Sequence, residues 1–270
     1  MKLINIRELI ASKSKRLAKF LPEFVYRFLE KILHQDEVNK IISGGLGLNP
    51  QEFIRSSFRQ WRVSYNIIGL DKIDPSGRYI FASNHPFGGM DGMMIADLLI
   101  DHFSDARVVV NDILMHITPL APIWIPVNTM GAQNSEYARI FEEGFSGDLP
   151  ILIFPAGVCS RVIDGEIKDL KWKNTFLKRA RASKRTIIPL YVQGSLHKGF
   201  YRLYKWRKAL GVKAPIEMLL LVDGMFKQYG KTFTIVVGEP IADEVLLEKG
   251  SLQEQVAYVR ERTYDLAKTL

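Results

Sequence analysis

Two hydrophobic periodicities divide the chain. Over residues 1–60 the apolar positions recur at helical spacing. Leu21, Val25, Phe28 and Ile32 form a stripe with Phe24 and Leu29 beside it, and Glu23, Arg27, Glu30 and Lys31 occupy the other side. The basic cluster Lys13, Lys15, Arg16 and Lys19 precedes this stripe, and Leu21-Pro22 reads as a helix start. The glycine-rich stretch 43–50 is a connecting loop, since it has neither a GxxxxGK[ST] pattern nor a preceding strand. Helical spacing resumes over 51–61 through Phe53, Ile54 and Phe58. From about residue 62 the period shortens. Val63, Tyr65 and Ile67 alternate as a strand, and Asp74-Pro75-Ser76-Gly77 is a strong turn. Strands are predicted at 78–82, 106–110, 123–127, 150–154, 186–192, 216–222 and 232–237, with helices near 90–103, 134–143, 170–183, 199–210 and 251–268. The expectation is an N-terminal helical segment, 1–60, whose phenylalanine stripe packs on the domain core or lies in a membrane interface, with packing favoured, and an α/β domain, 61–270, built on a mixed, largely parallel sheet flanked by helices.

Composition narrows this picture. An apolar content of 47% and a charged content of 24% in 270 residues suit one large α/β domain with a sizeable core. A lone cysteine, Cys159, excludes an intramolecular disulfide and a thiolate-rich zinc site, and fits a reducing compartment. His34, His102, His116 and His197 lack metal-ligand spacing, so no metal is expected. Residues 1–20 lack the uninterrupted apolar core of a signal peptide. No run approaches the roughly 20 apolar residues of a membrane span, and the longest, 117–127, is broken by Pro119, Pro122 and Pro126. A cytoplasmic protein lying on the inner face of the membrane is expected.

The charge is uneven. Residues 168–213 hold fourteen Lys or Arg and one acid, Asp169, a local balance of +13 against +8 for the whole chain, which leaves the remainder at −5. Such a concentration faces an anionic partner. Trp172, Tyr201, Tyr204 and Trp206 lie among these cations, a mixture that suits a membrane interface better than a nucleic-acid surface.

Three segments directly follow predicted strands, where open α/β sheets place their sites. In the first, Asn84-His85-Pro86-Phe87-Gly88-Gly89-Met90-Asp91, a histidine leaves a strand and a carboxylate stands at the head of a helix. Imidazole can take a proton near neutral pH, and an aspartate can hold its other nitrogen. The second segment ends in Asn128. The third is Phe154-Pro155-Ala156-Gly157-Val158-Cys159-Ser160-Arg161, a loop whose amides and arginine suit an anion. Cys159 has no partner base in the sequence pattern and reads as inert packing.

In order and spacing over roughly residues 60–240, these blocks resemble the glycerolipid acyltransferase superfamily, typified by bacterial lysophosphatidic acid acyltransferases. Asn84, His85 and Asp91 match its Asn-His-x4-Asp block, Phe154-Pro155 and Gly157 its Phe-Pro-Glu-Gly-Thr-Arg-Ser block, and Ile188-Pro189 its Val-Pro strand. There are departures. Five residues separate His85 from Asp91 rather than four, the middle-block arginine is absent near 125–127, and Ala156 stands in place of the glutamate. The resemblance associates the missing groups with a phosphorylated acceptor, so their loss points elsewhere. This variant is similar to a hemolysin-like acyltransferase subgroup linked to ornithine and glycine lipids.

The resemblance implies an O-acyltransferase that moves a fatty acyl group from an acyl carrier protein or coenzyme A thioester to a lysolipid hydroxyl. His85 would be the general base and Asp91 its orienter. Asn84, Gly88, Gly89, Asn128, Phe154, Pro155, Gly157, Ser160 and Arg161 would line the substrates. No bound cofactor is implied, and the basic segment would meet the carrier, an anionic membrane surface, or both. Gly88-Gly89 is expected to bulge so that His85 and Asp91 still touch. The rivals are a lysophosphatidic acid acyltransferase with an altered head-group pocket and a degenerate basic module that binds membrane or nucleic acid without turnover.

Overall fold

A computed structural model describes residues 4–127, 135–212 and 215–270. Five helices come first: α1 (Ile6–Lys13), α2 (Lys15–Phe20), α3 (Glu23–Ile32), α4 (Gln35–Gly44) and α5 (Pro50–Trp61). The start of α5 is set locally, because Pro50 occupies its first turn and Asn49 and Glu52 cap each other's backbone amides. Phe53, Ile54, Phe58 and Trp61 then sink one face of α5 into the main core.

The remaining chain alternates strand and helix. In order it runs β1 (Ser64–Ile68), β2 (Tyr79–Ser83), α6 (Gly89–Phe103), β3 (Arg107–Asn111), β4 (Trp124–Val127), α7 (Ser135–Ser146) and β5 (Ile151–Ile153). After these come β6 (Arg161–Ile163), β7 (Glu166–Lys168), α8 (Thr175–Ala182), β8 (Thr186–Val192), α9 (Lys198–Ala209), α10 (Leu220–Phe226), β9 (Thr232–Val237), α11 (Asp243–Leu247) and α12 (Leu252–Asp265). Seven strands form one sheet in the order β1-β9-β8-β2-β5-β3-β4. Every neighbouring pair is parallel except β8 with β9. The sheet is therefore mixed and mostly parallel, as the pattern predicts.

Its central strand explains its own sequence. All five residues of β2 are buried, and a strand covered on both faces reads as a continuous apolar run. The period of two survives in what each side chain meets. Phe81 joins Leu152, Ile188 and Leu190 under α5 and α6, whereas Ile80 and Ala82 join Ile151, Ile187 and the inner faces of α8 and α12. Helices on both faces leave the carboxyl ends of β2 and β5 as the open rim.

Two segments differ from the sequence-based expectation. Residues 216–222 do not form a strand: a 3-10 turn, Ile216–Leu219, leads into α10. A short apolar run is ambiguous by periodicity alone, and here Glu217, fully buried within it, takes two arginines that a strand register would not supply. The predicted helix over 170–183 is shortened to α8, because residues 169–173 are held by other partners described below. The hairpin β6–β7 was not expected, although Asp164-Gly165 between the strands, both at positive φ, is a turn signature of such hairpins.

Candidate active site

Strand β2 delivers the 84–91 turn to the rim. The chain leaves Ser83, passes Gly88 at φ 84°, and enters α6 at Gly89. A side chain at Gly88 would have to adopt this left-handed backbone, and its Cβ would sit 3.2 Å from Cys159 Sγ. The tight turn brings the two side chains together across the extra residue. His85 Nδ1 lies 3.1 Å from Asp91 Oδ2. Asp91 is fully buried and held on both oxygens: Oδ2 also accepts the Phe87 N–H at 2.9 Å, and Oδ1 accepts the Gly92 N–H at 2.9 Å. The imidazole stacks on Phe154, with ring centroids 3.9 Å apart and planes 26° from parallel. Its side chain keeps 16% of its surface open.

The 154–161 turn leaves the neighbouring parallel strand β5 and is stitched to the first. Ser160 N–H donates to the His85 carbonyl at 2.8 Å. Asp169 completes the seam. Its Oδ1 accepts the His85 N–H at 3.2 Å and the Ser160 hydroxyl at 2.6 Å, and its Oδ2 accepts the Trp172 indole N–H at 2.9 Å. Burial raises the Asp169 carboxyl above its ordinary pKa, and the hydrogen bonds from Ser160, Trp172 and His85 act against that rise. Tyr264 and Arg260 of α12 bind its backbone N–H and C=O. Asp169, the one acid of the basic run, thus fixes the backbone that carries His85.

Arg161 does not face the rim. Its side chain is 3% exposed and pairs with the fully buried Glu217 at 3.2 Å, and Glu217 also binds Arg207 at 2.6 Å. Phe200 and Tyr204 of α9 cover the Arg161 guanidinium at 4.7 and 5.2 Å. The expected arginine beside a bound anion is instead half of a sealed ion pair. Past Glu217, α10 lies over the glycine turn, with Leu221 against Gly88 and Met225 against Gly89.

Known proteins resemble this arrangement in sequence and in fold. A family model described as Acyltransferase matches residues 8–270. The chain is 36% identical over 265 residues to a lyso-glycine lipid O-acyltransferase of Phocaeicola vulgatus, covering 98% of this chain and 95% of that protein. It is 35% identical to a protein of the same name from Bacteroides thetaiotaomicron, covering 98% and 97%. The chain belongs to the glycerolipid acyltransferase superfamily. Its fold is similar to that of the 1-acyl-sn-glycerophosphate (LPA) acyltransferase of Thermotoga maritima, with a TM-score of 0.52 at 14% identity over 97% of this chain and 95% of the other.

The other anticipated site residues of this acyltransferase divide by what holds them. Asn84 clamps strand to strand: Nδ2 donates to the Val192 carbonyl at 3.0 Å and Oδ1 accepts the Val192 N–H at 2.7 Å. It therefore positions the turn from behind, where a substrate contact was expected. The Ser160 hydroxyl is committed to Asp169. Phe154 is the stacking wall of His85, the Pro155 carbonyl accepts the Lys173 N–H at 3.0 Å, and Gly157 turns at φ 70°. Asn128 lies outside the described residues. Cys159 is buried, and its burial, with the nearby Asp91 charge, pushes the thiol well above its ordinary pKa, so it stays a packed thiol rather than a nucleophile. Among the described residues no cluster of His, Cys, Asp or Glu fits a metal ion.

Asp169 and Glu217 escaped the sequence reading. Asp169 did leave a signal, as a single acid in a strongly basic run. Glu217 was hidden by a misassigned strand.

Proposed function

We propose that this acyltransferase moves a fatty acyl group from a thioester to the hydroxyl of a lysolipid of the glycine-lipid type, with His85 as general base. The observation that carries the mechanism is the His85–Asp91 pair. Anchored by two backbone amides, Asp91 holds Nδ1–H and leaves Nε2 for the acceptor hydroxyl. As the hydroxyl attacks the thioester carbonyl, its proton passes to Nε2. The new ester forms, the carbon–sulfur bond breaks, and the proton leaves with the thiolate. Phe154 keeps the ring in plane throughout. Gly89 and Gly157 border the reacting groups, whereas Gly88, packed between Cys159 and Leu221, and the buried Pro155 shape the turns from within, and no resident cofactor is required.

Two observations favour a glycine-lipid acceptor over a glycerol phosphate. Both curated relatives bear that name. In addition, Glu217 already neutralises Arg161, and Ala156 replaces a second polar group, so the turn offers no free guanidinium to a phosphate. The acyl donor in this reading is an acyl carrier protein or coenzyme A thioester, and the enzyme works on the inner face of the cytoplasmic membrane. No helix among the described residues is long and apolar enough to cross a membrane. Phe20, Phe24 and Phe28, exposed by 72%, 72% and 59% beside Lys19 and Arg27, supply an interfacial face for α2 and α3.

The purified protein should acylate a lyso-glycine lipid at least about tenfold faster than lysophosphatidic acid. A preference for lysophosphatidic acid would overturn the acceptor assignment.

A further inference from the structure

Among the described residues, nothing covers the outer face of α9 to explain its composition. Trp206 is 69% exposed and Leu210 74%, followed by Val212 at 40% and Ile216 at 38%. Trp206 and Leu210 stand four residues apart, so they neighbour each other at the end of the helix. Arg202, Lys205 and Lys208 are exposed around them, and no acidic residue occurs between 198 and 212. The inner face of the same helix is fully employed: Phe200, Tyr204 and Arg207 enclose the Arg161–Glu217 pair. The apolar group is therefore not a remnant of core packing that slipped outward. It is a separate surface on a helix whose other side is already satisfied.

We propose that this end of α9 docks on an anionic lipid bilayer. Trp206, Leu210, Val212 and Ile216 enter the interface, and Arg202, Lys205 and Lys208 meet the head groups. An indole beside aliphatic side chains, ringed by cations, matches the boundary between head groups and acyl chains. An acidic carrier protein would be held by the cations alone and would leave a tryptophan and a leucine unaccounted for. The position also has a consequence for the site. The turn Ile216–Leu219 and α10 connect this surface directly to the residues over Gly88 and Gly89, and Phe226 at the far end of α10 stacks on His34 at 4.4 Å between α3 and α4. Docking through α9 therefore adds a second lipid contact to that of α2–α3, and α10, which roofs the His85 turn, touches both α9 and α3. The proposal concerns binding and stands whether or not the acceptor assignment holds.

The chain carries its own probe. Of its four tryptophans, Trp61, Trp124 and Trp172 are 7%, 4% and 2% exposed, so Trp206 alone is open to solvent. The full-length protein is mixed with vesicles of phosphatidylglycerol and phosphatidylcholine whose acyl chains are brominated, and with vesicles of brominated phosphatidylcholine alone. The expected result is a blue shift and quenching of tryptophan emission on the anionic vesicles, weakened by salt and much smaller on the neutral ones. Trp206→Phe should remove the quenching while leaving sedimentation with anionic vesicles within about twofold. Trp206→Ser with Leu210→Ser should reduce sedimentation at least about tenfold, with circular dichroism unchanged because both side chains are on the surface. The proposal is overturned if the wild type binds vesicles without quenching, if it binds none, if the double variant binds like the wild type, or if the emission shifts only on adding an acyl carrier protein.

Discussion

The 84–91 and 154–161 turns leave adjacent parallel strands at the same rim of the sheet, yet they treat their polar residues in opposite ways. The first presents its histidine, with Nδ1 fixed from below and the ring still partly open. The second hides nearly everything chemical that it carries: Cys159, Ser160 and Arg161 are 1%, 2% and 2% exposed. The difference lies in the partners available from elsewhere in the chain. Asp91 is the internal partner of the first turn, whereas Asp169 and Glu217 reach into the second from outside and consume its hydroxyl and guanidinium. A motif thus names side chains, and the surrounding fold decides which of them face a substrate. In this molecule one turn leaves its histidine partly open and the other, sealed, braces it.

Removing a brace should have the largest effect on stability. Glu217→Ala leaves the buried Arg161 guanidinium and the partly buried Arg207 without a counter-charge, and an expected loss of about 3–5 kcal/mol follows from breaking a buried pair on one side. Urea denaturation measures it. Replacing Arg161 and Glu217 together by Met and Leu should cost less than the single change, and an equal or greater cost would mean that the pair itself stabilises the turn. Next in size is the presenting turn. Asp91→Asn should slow acyl transfer by about a hundredfold, near 2.7 kcal/mol of barrier, and wild-type turnover would remove Asp91 from the mechanism. The seam comes third. Asp169→Ala strands the Trp172 indole N–H and two donors of the turns, for a loss of about 1–3 kcal/mol, and its turnover should fall through misplacement of His85. Full turnover with a lowered melting temperature would make Asp169 merely structural.

How much of this contrast the chain announces in advance follows from the range of each signal. The sheet was legible because buried parallel strands make continuous apolar runs such as Tyr79-Ile80-Phe81-Ala82, and the His85–Asp91 turn because both partners lie within seven residues and two glycines mark the bend. The sealing of Arg161 was not legible. Its partner stands 56 residues away in a segment whose apolar run imitates a strand. Asp169 lies 84 residues from His85, and nothing local indicates that it meets that backbone. Asn84 illustrates the same limit at a recognised motif position, since its commitment to Val192 spans 108 residues.

A weaker effect comes from the contact between the N-terminal helices and α10. Asp223 lies 3.3 Å from His34 Nε2 and 3.5 Å from His197 Nε2. Burial works to raise the Asp223 carboxyl, but hydrogen bonds from Lys227 and His34 outweigh it and hold the pKa below the ordinary value. The depressed folded pKa means that its contribution is present above about pH 4 and lost as pH falls through the folded value. His197 is lowered by burial and by Lys227, so protonating it costs the fold below about pH 6.5. Both act in the same direction. Amide protection over 23–44, taken relative to the intrinsic exchange rate at each pH, should fall on acidification, and Asp223→Asn should produce part of that loosening at neutral pH, by about 1 kcal/mol or less. Protection that is insensitive to pH and to Asp223 would place the anchor of these helices elsewhere.

The central claim is that the open turn acts through its histidine. It is tested most directly by comparing the wild type with His85→Ala in an acyl-transfer assay with a lyso-glycine lipid acceptor, after matched melting curves show both to be folded. The account predicts a loss of about 10²- to 10⁴-fold in turnover with acceptor affinity little changed. Turnover within about twofold of the wild type would contradict it.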